Sequence, residues 1–154
     1  MTNTETKTTK IFIYGTLMRG MGNDRMFKEF NPLVWVPAVA EGRMVSLGEY
    51  PMCDLRDACS EPIYGEVLEF SEKEWPEILK RMDHDEECFE HGEHDESNKT
   101  GNLYDRIIID VIAGGEKIKA WAYTMPYAYR GTFSQVVEDG DWKEFEDRKQ
   151  ASCI

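Results

Sequence analysis

The first hydrophobic feature of the chain is the unbroken run Ile11-Phe12-Ile13-Tyr14, stopped by Gly15 and followed by Thr16. A short apolar run bounded this way predicts a buried strand entering a tight loop. Met21, Met26, Phe27 and Phe30 then recur on one face of a short helix, with Asn23 or Asp24 as its cap and Asn31-Pro32 as its stop. From Leu33 to Leu47 β-branched and apolar residues return as strand, with Gly42 marking a bulge or a close backbone approach. Gly48-Glu49-Tyr50-Pro51 reads as a turn, Tyr50 being held extended by the proline after it.

Ile63 to Phe70 alternates, with Ile63, Gly65, Val67 and Glu69 on one side and Tyr64, Glu66, Leu68 and Phe70 on the other, which is the period of a strand. The period then changes. Ser71 and Glu74 have capping-box spacing, and Trp75, Ile78, Leu79 and Met82 recur at helical intervals, so a helix is expected from about Glu72 to Met82. Pro76 falls in or near its first turn, where a missing N–H costs little. From Asp83 to Gly101 the pattern lapses, with eight Asp and Glu, all three histidines and almost nothing apolar beyond Cys88 and Phe89, which predicts a long acidic loop. Leu103 to Ile112 and Lys117 to Met125 are β-rich runs joined by Ala113-Gly114-Gly115-Glu116, a hairpin signature. After a loop at Pro126 to Gly131, Phe133, Val136, Val137, Trp142 and Phe145 are expected to form a largely helical cover with a cap region at Asp139-Gly140-Asp141. The elements sum to an α+β chain.

Its 154 residues suit one domain, residues 11–154, preceded by a polar, Thr-rich and mobile tail at residues 1–10. Charge narrows the partners. With 30 acidic against 18 basic residues the formal net charge is -12, which disfavours phosphate backbones and anionic membranes while leaving a small anion free to bind in a nest of backbone amides. Cys53, Cys59, Cys88 and Cys153 show no Cys-x-x-Cys spacing and are expected as reduced thiols. No segment approaches the length of a membrane span, so a cytoplasmic protein is the expectation. Oligomeric state is not legible here.

Candidate chemistry starts at Tyr14-Gly15-Thr16-Leu17. Successive backbone N–H groups after a strand, with a Thr hydroxyl beside them, suit an anion, although an ordinary turn shares the pattern. Further on stand Met82-Asp83-His84-Asp85-Glu86-Glu87, Tyr104-Asp105-Arg106, Ala120-Trp121-Ala122-Tyr123 and Gly140-Asp141-Trp142. In this order the motifs resemble those of the gamma-glutamylcyclotransferase superfamily: Tyr-Gly-Thr-Leu after the first strand, Leu-Asp-x-x-Glu-Gly at a helix end, Tyr-x-Arg, Ala-x-x-Tyr and Gly-Asp-Trp. The resemblance spans Ile11 to Trp142 and implies a small, mostly antiparallel, barrel-like sheet with a few flanking helices. It implies that Glu86 is the catalytic acid/base and that Tyr14, Gly15, Thr16, Leu17, Tyr50, Tyr104 and Tyr123 contact a gamma-glutamyl substrate. Met82 replaces the family's leucine, a volume-conserving change. Glu87 stands where the family has glycine, which leaves Glu87 as the alternative functional carboxylate if the turn is rebuilt.

The implied reaction is intramolecular. The free α-amine of a gamma-glutamyl amide attacks its own γ-carbonyl, closes a five-membered lactam and expels an amine, giving 5-oxoproline. One carboxylate with a raised pKa serves both proton transfers, and no metal or cofactor is required. Each residue also has a structural reading: Glu86 as a solvated charge, Arg106 as the ion-pair partner of a carboxylate such as Asp83, and Tyr104 and Tyr123 as core or rim aromatics. His84, His91 and His94 match no metal-ligand spacing, and Cys88 sits among carboxylates that blunt a thiolate. The alternative from another class is a non-catalytic binding or interaction module on the same fold. The leaving amine is not specified by these motifs.

Overall fold

The computed structural model describes residues 8–21, 24–56, 61–91, 100–130 and 135–152. Asn23, Cys59, His94, Phe133 and Cys153, each singled out by the sequence, lie outside them. The strands are β1 (Lys10–Ile13), β2 (Val34–Ser46), β3 (Pro51–Asp54), β4 (Glu61–Glu69), β5 (Asp105–Ala113) and β6 (Glu116–Thr124); the helices are α1 (Arg25–Glu29), α2 (Trp75–Asp85) and α3 (Trp142–Ser152).

The sheet runs β3-β2-β4-β1-β6-β5, and β5 returns to β2 at Val39↔Ile112, so every strand but β3 belongs to a closed barrel. The pairings are antiparallel except β1 with β6, which meet in parallel at Ile11↔Trp121. β1 sits between β4 and β6 and buries Ile11, Phe12 and Ile13 together, which is why its sequence is a continuous apolar run and not an alternation. Close packing there depends on Gly65: a Cβ at that position would stand 2.2 Å from the Ile13 carbonyl and 2.7 Å from the Phe12 ring.

Gly42 is a close approach of backbone, as its pattern suggested. β2 pairs with β4 as far as Gly42 and with β3 from Arg43 onward, and a Cβ at Gly42 would lie 2.6 Å from the Asp54 carbonyl. β3 itself was not legible, because four buried residues after a turn are too few to show a period. The hairpin of β5 and β6 turns through Gly114 and Gly115, both at positive φ.

Three boundaries differ from expectation. Thr8 and Thr9 already bond the sheet, through Trp121 Nε1 to the Thr8 carbonyl at 3.2 Å and Phe70 N–H to the Thr9 carbonyl at 3.1 Å, so ordered structure enters the stretch read as a tail. Val136 bridges Val45 of β2, with hydrogen bonds to either side, so the segment before α3 is extended where helical cover was expected. The helix α2 continues through Asp83, His84 and Asp85, residues assigned to the acidic loop. The apolar stripe ends at Met82, but nothing in the next three residues breaks a helix, and side chains of the barrel hold Asp83 in place, as described below.

α1, β4 and α2 meet over one aromatic cluster, with Phe27 and Phe70 at 5.7 Å between ring centroids and Phe70 and Trp75 at 6.3 Å. This cluster and the buried Ile78 and Met82 seat α2 against the barrel, leaving its C-terminal end over the mouth. Ser71 Oγ accepts the Glu74 N–H at 3.2 Å, as the capping-box spacing predicted. Among the described residues no helix is long and apolar enough to cross a membrane.

Candidate active site

α2 ends in a Schellman arrangement. Cys88 N–H donates to the Asp83 carbonyl at 2.8 Å and Glu87 N–H to the His84 carbonyl at 3.2 Å, with Glu86 as the capping residue and Glu87 beyond it at φ +51. Glycine is favoured at that left-handed position, and Glu87 adopts its conformation nonetheless. The turn is therefore kept in the shape a glycine would give it, and the register from Asp83 to Glu86 is kept with it.

Asp83 anchors the helix end to the barrel. Its Oδ1 accepts the Tyr123 hydroxyl at 2.6 Å, and its Oδ2 pairs with Arg106 and lies 3.4 Å from His91 Nε2. The Arg106 guanidinium also stacks over Trp121, 4.9 Å from the ring centroid. The ion pair between Arg106 and Asp83 is thus the structural role foreseen for that arginine. The chain leaving the helix is held by Asn102, whose Oδ1 accepts the N–H groups of Phe89 and Glu90 while its Nδ2 donates to the Glu90 carbonyl and to Asp105.

The strand β1 delivers the other wall. Tyr14 donates its hydroxyl hydrogen to the Tyr123 carbonyl at 2.5 Å, and Gly15 packs on Pro51, where a Cβ would meet the ring at 2.8 Å. Met18 N–H closes the loop onto the Gly15 carbonyl at 3.0 Å, while the amides of Gly15 and Leu17 bond no other described residue. Tyr104 donates to the Pro51 carbonyl at 2.8 Å.

Between the walls is a cavity of about 520 Å³. Tyr14, Gly15, Thr16, Leu17, Tyr50, Glu86, Tyr104 and Tyr123 all line it, and so do Pro51, Leu103, Asp85 and Glu87. Asp85 was missed by sequence reasoning, which ended the helix at Met82; continuing the helix by one turn would have found it.

Glu86 is the titratable group this environment alters most usefully. Its carboxyl is half-buried and makes no hydrogen bond to another described residue; burial first, and the neighbouring Asp85 charge second, raise it from 4.5 to about 7. Tyr14, Tyr104 and Tyr123 are pushed up, chiefly by burial, and stay protonated. All three hydroxyl hydrogens are committed to internal acceptors, so these tyrosines have no hydrogen left to donate to a bound ligand, whereas the Gly15 and Leu17 amides line the same cavity. Cys88 is buried and raised to about 11, by burial and then by Asp83, so it is a poor nucleophile despite lying 3.9 Å from His91 Nδ1.

The half-buried Glu86 carboxyl and the Gly15 and Leu17 amides thus line one cavity, as the motif order implied. A family model described as gamma-glutamyl cyclotransferase, AIG2-like, matches residues 11–144. The chain belongs to that family. Similar to it is the gamma-L-glutamyl-butirosin B gamma-glutamyl cyclotransferase of Niallia circulans, 33% identical over 136 residues that cover 88% of this chain and 76% of the relative. Family and relative support gamma-glutamyl cyclotransferase chemistry in general. Among solved structures, YkqA from Bacillus subtilis has a TM-score of 0.63 at 21% identity, over 94% of this chain and 43% of its own, so this chain spans less than half of YkqA. An AIG2-like protein from Mus musculus has a TM-score of 0.56 at 19% identity, over 82% of this chain and 80% of its own. At those identities the two structures bear on the fold, which is the barrel that the resemblance implied.

Proposed function

We propose that the protein cyclises a gamma-glutamyl amide to 5-oxoproline and releases the amine, with Glu86 as acid/base. The observation that carries this reading is the placement of Glu86: a carboxyl raised to about 7 and lining the cavity opposite the loop Tyr14 to Leu17. The substrate's α-carboxylate lies against the amides of Gly15 and Leu17, and the Thr16 hydroxyl stands beside them. Held so, the α-nitrogen folds back on the γ-carbonyl; positioning of this kind is the largest share of the rate enhancement. Glu86 in its ionised form takes a proton from the attacking nitrogen as the C–N bond of the lactam forms. The carboxylic acid then gives that proton to the departing nitrogen as the old C–N bond breaks. A group titrating near neutrality does both. The oxygen that gains charge between the two steps is stabilised by a backbone amide, since the hydroxyl hydrogens of Tyr14, Tyr104 and Tyr123 are held by internal acceptors.

Asp83, Tyr123 and Arg106 serve as positioning residues that hold the end of α2, and Tyr50 and Tyr104 shape the cavity wall. Glu87 is exposed and lies at the mouth of the cavity, which makes Glu86 the better candidate for the proton transfers. The test is release of 5-oxoproline, followed by mass spectrometry, from a panel of gamma-glutamyl dipeptides and gamma-glutamyl amines. Turnover by the parent and by Glu87→Gln, with a loss of about 10²–10⁴-fold in Glu86→Gln, is the expected result. Equal turnover by Glu86→Gln overturns the assignment.

A further inference from the structure

We infer that Glu66 is a positioning residue for the substrate, acting through the Arg19 amide to hold the loop Gly15 to Leu17 in its binding shape. The inference rests on the cyclotransferase reading and adds to it the group that preorganises the glutamyl site. β4 places Glu66 across from Ile13, the last residue of β1, so its carboxylate stands beside the point where the loop leaves the sheet. The loop then turns back toward it. Met18 N–H closes on the Gly15 carbonyl and Met21 N–H on the Met18 carbonyl, both at 3.0 Å, and between these turns Arg19 N–H donates to Glu66 Oε1 at 2.7 Å. The cavity-lining residues are thereby held at both ends, Gly15 on Pro51 and Arg19 on Glu66.

Three elements share this carboxylate. Its side chain is only 13% exposed, Oε1 also accepts the Trp35 indole N–H from β2 at 2.9 Å, and Oε2 pairs with Lys143 of α3 at 3.2 Å. The Arg19 guanidinium lies over that same Trp35, 4.3 Å from the ring centroid, so backbone and side chain of one loop residue are fixed together. Lys143 offsets the charge of Glu66, which lets a carboxylate stand near an anion-binding loop without repelling the anion. One residue on, Asp24 Oδ2 accepts Gly20 N–H at 3.0 Å, with Gly20 at φ +83. Two successive amides are thus captured by carboxylates, while those of Gly15 and Leu17 line the cavity. Glu66, Trp35 and Lys143 do not line it, so Glu66 acts on the substrate only through the loop.

Without this acceptor the loop samples shapes that do not bind, and substrate must select the competent one. A competent fraction of about one in ten raises KM about tenfold and leaves kcat at saturation unchanged. The experiment measures both constants for 5-oxoproline release by the parent, Glu66→Gln, Glu66→Asp and Glu66→Ala. Glutamine keeps an acceptor oxygen at the same reach, whereas aspartate keeps the charge and withdraws the oxygen by one carbon–carbon bond. KM is expected within about twofold of the parent in Glu66→Gln, up about fivefold in Glu66→Asp and about tenfold in Glu66→Ala, each with kcat held. The pH limb near 7 should stay in place in all of them, because Glu86 is untouched. KM does not depend on how much of a preparation is folded, and should Glu66→Ala fail to fold, the contrast between Glu66→Gln and Glu66→Asp decides. A KM close to the parent's in Glu66→Asp and Glu66→Ala, or an equal rise in Glu66→Gln and Glu66→Asp, overturns the inference and leaves the cyclotransferase reading in place. No 5-oxoproline from the parent overturns both.

Discussion

Replacing Glu86 by glutamine is expected to stabilise the fold at pH 8 while removing turnover. In the unfolded chain the carboxyl loses its proton near 4.5; in the folded protein burial and Asp85 hold it until about 7. Between those values the folded state binds more protons than the unfolded one, so stability falls as pH rises from about 4.5 to 7, and above 7 the full cost of the buried anion is present. At about 1.4 kcal/mol per pH unit the interval sets an upper limit of about 3 kcal/mol. Water reaching the half-exposed side chain screens part of that, and a buried glutamine amide retains a smaller desolvation cost of its own. A gain of about 1–2 kcal/mol at pH 8 is therefore expected, falling to roughly a quarter of that at pH 5, where the native carboxyl is already protonated. Urea denaturation of parent and variant at both pH values, with equal slopes, reads the difference as a shift of midpoint. An equal gain at pH 8 and pH 5, or a loss at pH 8, would refute the reasoning, because neither follows from an anion forced into a partly desolvated site. The expected pairing of gained stability with lost activity is common where a functional group is held in an unfavourable setting.

Two further substitutions probe the frame of the site. Glu87→Gly places glycine at φ +51 and should stabilise by about 0.5–1 kcal/mol, a rise of about 1–4 °C in Tm by calorimetry; a fall would show that the left-handed turn carries no strain. Gly65→Ala forces a methyl group against the Ile13 carbonyl and Phe12 ring and should cost about 3 kcal/mol or more by denaturant midpoint, whereas a loss below about 0.5 kcal/mol would mean that β1 and β4 separate easily.

The strands were legible in the sequence wherever period and turn chemistry agreed. Ile63 to Phe70 and the Gly114-Gly115 hairpin are the clearest cases, and each pairs over nearly its whole length. β3 left no mark, since Pro51 to Asp54 is recruited by the far half of β2 and has no alternation of its own. The end of α2 was misplaced for a related reason. Its last turn, Asp83 to Asp85, is polar, and what fixes it is long-range: Tyr123 and Arg106 reach Asp83 from β6 and β5. The cavity lining was legible from motif order, because Tyr14 to Leu17, Tyr50, Glu86, Tyr104 and Tyr123 converge on one space although they come from five separate stretches of chain. Which hydroxyls are spent on internal acceptors was not, for that depends on carbonyl positions that spacing does not reveal.

The most direct test of the acid/base role of Glu86 is the pH dependence of kcat/KM for the best gamma-glutamyl substrate, measured on the parent and on Glu86→Gln. A base must be ionised to act, so kcat/KM should rise with pH through about 7 in the parent, and the residual rate of the variant should show no such limb. A profile in the parent that is already flat from pH 5 upward, or the same limb in both proteins, would contradict the assignment of the proton transfers to Glu86.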